Sequence, residues 1–162
     1  MYKIEIVEKN GFNCNWATLF IGRQFKLISS LEVTNYATEY LKNNPNVNNE
    51  FILELAWEQV EDKVEDKVDD ILERIISDSS SEDMAKEYHK WLYSIIKEAY
   101  NNYSDENIFE EIENIFSMFN TPQNMYDFFR KVSDAFYYPS DSKHTIKELV
   151  EEFLDAEKQL IL

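Results

Sequence analysis

The chain contains few of the residues that interrupt helices or form covalent crosslinks. Its 162 residues include two glycines, three prolines and one cysteine. A β-rich fold of this length usually places more glycine and proline in its turns, so their scarcity favours helices joined by short loops. A single cysteine excludes an intramolecular disulfide, which suits a reducing compartment. No apolar run is long enough to cross a bilayer and no secretory signal pattern begins the chain, so we expect a cytoplasmic protein.

Positive charge is also scarce. The chain has 16 lysines and arginines against 32 aspartates and glutamates, which gives a formal net charge of −16 at pH 7. Nucleic acids and anionic membranes are bound by clusters of Lys and Arg, so this composition argues against both as partners. A positively charged protein is the favoured partner, because opposite charge accelerates association.

Motifs for catalysis and for metal binding are missing as well. His89, His144 and Cys14 do not have the spacing of a zinc site, and we expect both histidines to be structural or surface residues. Two isolated glycines cannot build a phosphate-binding loop, and no acidic stretch has the glycine that an EF-hand requires. We therefore predict no catalytic residue, no cofactor, no bound metal and no enzymatic activity. A metal-dependent enzyme whose carboxylates are brought together by the fold remains an alternative.

Helical periodicity dominates the pattern of apolar residues. Apolar positions recur at spacings of three and four along most of the chain, as on one face of a helix. The length suggests one domain. We predict a single all-α domain over residues 1–162, with about seven helices and stacked antiparallel pairs as one possible arrangement. Tyr2, Ile4 and Ile6 alternate with charged residues and predict a short extended N-terminal arm, with a first helical turn as the alternative.

Polar residues mark several expected helix starts. Ser29 with Glu32, and Ser79 with Glu82, have the spacing of a capping box, in which a hydroxyl and a carboxylate satisfy exposed backbone N–H groups. Thr121 before Pro122 has the pattern of an N-cap followed by proline in the first helical turn.

The segment from Glu58 to Glu73 predicts a helix with an acidic ridge. Its apolar side is formed by residues that step by four: Val60, Val64, Val68, Leu72 and Ile76. Its other side carries two rows of carboxylates: Glu61, Glu65, Asp69 and Glu73, and beside them Asp62, Asp66 and Asp70. Like charges four residues apart on a helix destabilise it by a few tenths of a kcal/mol per pair. A cationic partner would reduce this repulsion between the carboxylates. The ordinary alternative is a solvated surface.

Eight residues are predicted to contact a partner. They are six carboxylates of the ridge and two tyrosines beyond a helix end: Glu61, Asp62, Glu65, Asp66, Asp69, Asp70, Tyr137 and Tyr138. The tyrosines run into a loop before Pro139, and tyrosine is favoured in protein interfaces. The alternative is that the two rings cover the end of the core.

One stretch resembles a known family. The run NWATLFIG from Asn15 to Gly22, with Glu54-Leu55-Ala56 further on, resembles the bacterial family catalogued as domain of unknown function 2247, over about the first half of the chain. The resemblance implies a small cytosolic protein, in some members an immunity protein encoded beside a polymorphic toxin, and it brings no catalytic residues. We therefore expect an immunity protein (antitoxin) that neutralises a basic, nuclease-type toxin through the acidic ridge. The alternative is a helical adaptor or regulatory module that binds through an apolar groove.

Overall fold

The structure is a computed structural model that describes residues 1–57 and 65–162, and the side chains of 1–57 and 67–162. Within those ranges it contains nine α-helices, one 3₁₀ turn at Gln123–Met125 and no β-strand. The helices are α1 Glu5–Glu8, α2 Trp16–Gln24, α3 Ser30–Asn43, α4 Glu50–Trp57, α5 Glu65–Ile75, α6 Ser81–Asn102, α7 Ile108–Met118, α8 Tyr126–Tyr137 and α9 Ile146–Ile161. The prediction of an all-α fold is confirmed.

Contacts within the chain group the residues into two compact units, Met1–Tyr88 and His89–Leu162. Each unit has an apolar core. Fully buried side chains of the first unit include Leu19, Leu27, Ile28, Leu55 and Leu72, and those of the second include Trp91, Leu92, Ile95, Ile96, Ile108 and Ile112. Each large apolar side chain that is buried contributes about 1.5–3 kcal/mol. The single domain over residues 1–162 stays a prediction.

In the first unit, α3 packs against α4, and α5 packs against both α2 and α4. Helix α2 ends where Lys26 adopts a left-handed conformation, with φ of 56°. The N–H of Lys26 donates to the carbonyl of Arg23, and the N–H of Leu27 donates to that of Gly22. These two bonds form a Schellman motif, which satisfies the last carbonyls of the helix. The turn carries Leu27 into the core, where it is 1% exposed.

The predicted extended arm at the N-terminus is wrong, and the alternative, a helical turn, is observed at Glu5–Glu8. Ile6 and Val7 are adjacent and both buried, which a helical turn allows and a strand, with alternating sides, does not. The backbone N–H of Ile4 donates to the Glu32 carboxylate at 2.9 Å, and that of Tyr2 donates to the Leu27 carbonyl at 2.7 Å. These bonds hold the segment against the start of α3 and the end of α2.

The predicted capping boxes are partly correct. Ser29 Oγ accepts from the backbone N–H of Glu32 at 3.3 Å, as expected. The Glu32 carboxylate, however, binds the N-terminal segment instead of closing the box. At α6 the capping oxygen belongs to Ser80, which accepts from the backbone N–H of Asp83 at 3.1 Å, so the prediction at Ser79 was one residue early.

The second unit packs α8 against both α7 and α9. The predicted helix start at Thr121 is wrong, because this residue closes the end of α7. Its N–H donates to the Phe116 carbonyl at 2.9 Å, and Asn120 before it has a φ of 58°. Asparagine is the commonest substitute for glycine at this left-handed position. Pro122 then leads into the 3₁₀ turn, and α8 begins at Tyr126.

Candidate protein-interaction surfaces

The structure describes part of the predicted acidic ridge. Glu61 and Asp62 lie outside the described residues, as does the question of whether one helix runs from Phe51 to Ile76. Glu65 and Asp66 lie in α5, with side chains outside the described set. The apolar side is confirmed at Val68 and Leu72, which are fully buried, whereas Ile76 lies just past the end of α5 and is only partly buried.

Asp69 forms an ion pair within the first unit. Its carboxylate accepts from Arg23 Nε at 2.8 Å and from Arg23 Nη2 at 3.3 Å, a bidentate arrangement. The same guanidinium donates through Nη1 to the Ile28 carbonyl at 2.8 Å. Arg23 is 8% exposed, so α2, α5 and the loop before α3 are joined by a largely buried group. The charge of Asp69 is therefore balanced by the chain itself.

The next carboxylates of the same helix face outward. Asp70 and Glu73 are exposed, and the neighbouring Lys67 lies 3.6 Å from the Glu54 carboxylate of α4. The part of the ridge that the structure describes thus contains one carboxylate bound to arginine and two exposed carboxylates on the solvent side of α5.

Tyr137 and Tyr138 lie at the end of α8 and are 62% and 63% exposed. Tyr137 packs edge-on against Phe109, with ring centroids 5.7 Å apart. Tyr138 lines an open cleft of about 440 Å³ together with Asp134 and His144. Both rings are thus accessible to a partner, and whether they contact one stays a prediction.

Tyr137 is one end of a continuous series of ring contacts across α7 and α8. We call it the aromatic row: Tyr126, Phe116, Phe129, Phe109, Phe136 and Tyr137. Successive ring centroids along it lie 5.3, 4.9, 5.9, 4.5 and 5.1 Å apart. The phenylalanines stack with interplanar angles of 15–27°, and the two tyrosines meet them edge-on. Such pairs contribute about 0.5–1.5 kcal/mol beyond the area they bury.

The aromatic row is buried at its base and open along its outer edge. Phe109 and Phe116 are 7% and 8% exposed, whereas Tyr126, Phe136 and Tyr137 are 54%, 39% and 62% exposed. The aromatic row was not predicted, although a spacing in the sequence indicates it. Phe109 and Phe116 are seven residues apart, as are Phe129 and Phe136, so each pair lies on one helix face.

The two sides of the aromatic row differ in charge. On α7, Glu113 lies one turn after Phe109 and one before Phe116, and Glu110 is beside it; both are exposed. On α8, Asp127 accepts from Arg130 at 2.7 Å and lies 3.1 Å from Lys131. Hydrogen bonds from Arg130 and then Lys131 lower the pKa of Asp127. Asp127 and Asp134 together balance the two α8 cations, whereas the α7 side stays anionic.

Two buried carboxylates, Glu87 and Glu157, were not predicted from the sequence. Glu87 is 4% exposed, and its Oε2 accepts from Thr18 Oγ1 at 2.6 Å. Thr18 is also half of the capping box at the start of α2, where Asn15 accepts from the Thr18 N–H and donates its own N–H to Thr18 Oγ1. Glu87 follows Met84 by three residues and precedes Trp91 by four, so it shares their apolar helix face, which is the signal that could have indicated burial.

The second buried carboxylate is Glu157, which is 3% exposed. Its Oε2 lies 2.6 Å from His89 Nδ1, and its Oε1 accepts from Asn124 Nδ2 at 3.3 Å. Glu157 follows Phe153 by four residues and so lies on the apolar face of α9. His89 thus contacts a buried carboxylate of the same unit, and its purely structural role stays a prediction.

The first unit has a cleft of about 370 Å³ with an aromatic wall. Tyr36 and Tyr40 line it, together with Glu8, Glu32 and Glu39. The Tyr36 hydroxyl donates to the Cys14 carbonyl at 3.2 Å. Burial raises the pKa of Tyr36 to about 12, with a further contribution from nearby negative charge.

Two features are absent from the described part of the chain. None of its helices combines the length and the apolar composition needed to cross a membrane. Its described side chains include no group of three or more His, Cys, Asp or Glu residues placed to hold a metal ion.

A family model matches residues 4–158, and its description is an uncharacterised protein conserved in bacteria, DUF2247. The chain belongs to the DUF2247 family. The match confirms the resemblance and extends it from about the first half to nearly the whole chain. No curated protein and no solved structure matches the chain. In this DUF2247 chain the NWATLFIG run forms the start of α2, with Asn15 and Thr18 capping the helix and Thr18 holding Glu87.

Proposed function

We propose that this DUF2247 protein is a non-catalytic immunity protein of the bacterial cytoplasm, which binds and neutralises a basic protein toxin. The observation that carries the proposal is the excess of carboxylates. If every lysine and arginine were paired one-to-one within the chain, a net charge of −16 would still remain. A partner that brings its own cations satisfies those carboxylates, and a nucleic acid or an anionic membrane does not.

The ion pairs of the structure support this proposal. Several cations that the structure describes already contact carboxylates of the same chain: Arg23, Lys42, Lys67, Arg130 and Lys131. Exposed carboxylates also lie in neighbouring pairs, such as Asp70 with Glu73 on α5, and Glu110 with Glu113 on α7. These surfaces would accelerate the approach of a cationic protein, while affinity would come from a few desolvated anchors.

A nuclease-type toxin is the partner class that fits best. Enzymes that cleave nucleic acids bind the phosphate backbone through clusters of Lys and Arg. An acidic helical surface inserted into such a cleft would block the substrate by occupying its phosphate positions. Inhibition of this kind needs no catalytic group in the inhibitor.

The test uses the protein encoded by the neighbouring reading frame. We expect this protein to end in a small basic domain that arrests growth when expressed alone, and co-expression of the DUF2247 chain should restore growth. With purified proteins, inhibition should reach completion at a defined molar ratio and weaken as salt is added, because exposed charges are screened. A basic neighbour that neither binds nor is inhibited, at low or high salt, would remove the proposal.

The adaptor alternative is favoured by one observation, the exposed edge of the aromatic row. Apolar docking on Tyr126, Phe136 and Tyr137 would depend little on ionic strength. Affinity that stays constant between low salt and about 1 M salt, where the screening length is only about 3 Å, would support the adaptor and contradict the immunity proposal.

A further inference from the structure

We propose that the aromatic row is the anchor on which a basic segment of the partner docks, with Arg or Lys side chains packed against its rings. This inference rests on the proposed function and names the surface that would carry it. It places the principal contact on α7 and α8 of the second unit, whereas the sequence pattern favoured the ridge of α5.

The rings offer what an interface anchor requires. Tyr126, Phe136 and Tyr137 expose aromatic surface, while Phe109 and Phe116 hold them from below in a buried layer. The anchor is thus rigid before binding, so little side-chain freedom is lost when a partner docks. Rigid aromatic residues of this kind are enriched among those that dominate binding energy.

The charges around the aromatic row indicate which kind of segment binds there. The faces of aromatic rings attract cations. Glu110 and Glu113 border the row on α7, and the cations on α8 are already bound to Asp127. A segment that carries both apolar and basic side chains can pack against the rings and pair with the carboxylates at the same time. A purely apolar segment would leave the carboxylates unpaired, and an acidic segment would be repelled by them.

A second copy of this chain is the less suitable occupant. In a two-fold dimer the same patch meets itself, so the α7 carboxylates of one copy would approach those of the other. Each copy also carries a net charge of −16, which opposes association. The observations therefore favour a basic partner over self-association.

The probe for this surface is a fluorescein-labelled oligoarginine peptide, and its affinity for the full chain is measured by fluorescence anisotropy at low salt. Replacing both exposed tyrosines, Tyr126→Ala with Tyr137→Ala, should weaken binding about tenfold, the scale expected for two cation–π contacts. Tyr126→Phe with Tyr137→Phe keeps the rings and should bind within about twofold of the wild type.

The charge contribution is tested with isosteric variants of equal net charge. Glu110→Gln with Glu113→Gln should weaken binding about threefold to fivefold, since partly exposed charge pairs contribute up to about 1 kcal/mol. The matched control, Glu5→Gln with Glu50→Gln, removes two exposed charges from the first unit and should change affinity less than twofold. Equal effects of the two pairs would overturn the proposal, because binding would then follow net charge alone.

A fluorine NMR measurement keeps the proposal testable if the double alanine variant does not fold. In wild-type protein containing 3-fluorotyrosine, the resonances of Tyr126 and Tyr137, assigned with the two phenylalanine variants, should shift on addition of the peptide. If the peptide binds and these resonances do not move, the aromatic row is not the docking surface. In that case inhibition of the neighbouring toxin still tests the proposed function separately. Dimerisation that is lost in the double alanine variant would instead identify a second copy as the occupant and overturn the proposal.

Discussion

Replacing Arg23 with methionine is predicted to destabilise the first unit strongly, and the structure sets the size of the effect. The guanidinium makes two hydrogen bonds to the Asp69 carboxylate and one to the Ile28 carbonyl. Methionine keeps the aliphatic part of the side chain and its packing, so the change removes the polar contacts of the guanidinium, these three among them.

Asp69 and the Ile28 carbonyl contribute unequally to the stability that Arg23 provides. The Asp69 side chain is 41% exposed, so water replaces the lost arginine there and the loss is about 1 kcal/mol. Ile28 is fully buried, and a buried carbonyl left without its donor costs about 1–3 kcal/mol. Together these give a loss of about 2–4 kcal/mol, which for a protein of this size lowers Tm by roughly 5–15 °C.

Urea unfolding followed by circular dichroism measures this loss. Asp69→Asn is the matched control, because its amide oxygen still accepts from Arg23 and the arginine stays bonded to the buried carbonyl, so the free energy of unfolding should fall by less than in Arg23→Met. Equal losses in the two variants would contradict the reasoning, since the exposed ion pair would then dominate over the buried carbonyl. A loss below about 0.5 kcal/mol for Arg23→Met would contradict the geometry itself.

Three further predictions concern other polar groups in the structure. Thr18→Val should lower the free energy of unfolding in urea by about 2 kcal/mol, because the hydroxyl binds Glu87 and helps to cap α2. Thr18→Ser keeps the hydroxyl and should lower it less. Equal losses in the two variants would show that the hydroxyl does not provide the stability. Glu157→Leu removes the carboxylate that contacts His89 and should lower the free energy of unfolding by about 2–4 kcal/mol. An unchanged free energy of unfolding would show that the His89–Glu157 pair does not stabilise the fold. The pKa of Tyr36 is raised from about 10 to about 12, so folding favours the protonated phenol: that stability is present below pH 10 and is lost as pH rises through 12. Tyr36→Phe should therefore make the free energy of unfolding fall less steeply over this range, and an unchanged slope would contradict the assignment.

Local patterns in the sequence predicted most of the helices, because a helix is specified by residues three and four apart. Apolar residues recur at these spacings from Val33, Met84, Ile108 and Ile146 onward, and an observed helix contains each of these four residues. Helix ends were less predictable, since several groups compete for the same polar residue. Thr121 is a residue type that is favoured at N-caps, yet its N–H donates to the Phe116 carbonyl at the end of α7.

Contacts between distant residues could not be predicted, because the fold alone brings them together. Arg23 and Asp69 are 46 positions apart, Thr18 and Glu87 are 69 apart, and the sequence contains nothing that pairs them. The acidic ridge was predicted from one helix in isolation, so an arginine from α2 that binds Asp69 was not foreseen. The aromatic row has the same origin, since it forms only when α7 and α8 pack side by side.

The central claim is that this acidic DUF2247 protein binds a basic protein with the help of electrostatic attraction. The decisive experiment is a stopped-flow measurement, over a series of salt concentrations, of the rate at which this protein associates with the basic toxin domain that we expect the neighbouring gene to encode. We expect the association rate to fall at least about tenfold between low salt and about 1 M salt, while the dissociation rate changes little. An association rate that does not depend on salt would contradict the claim.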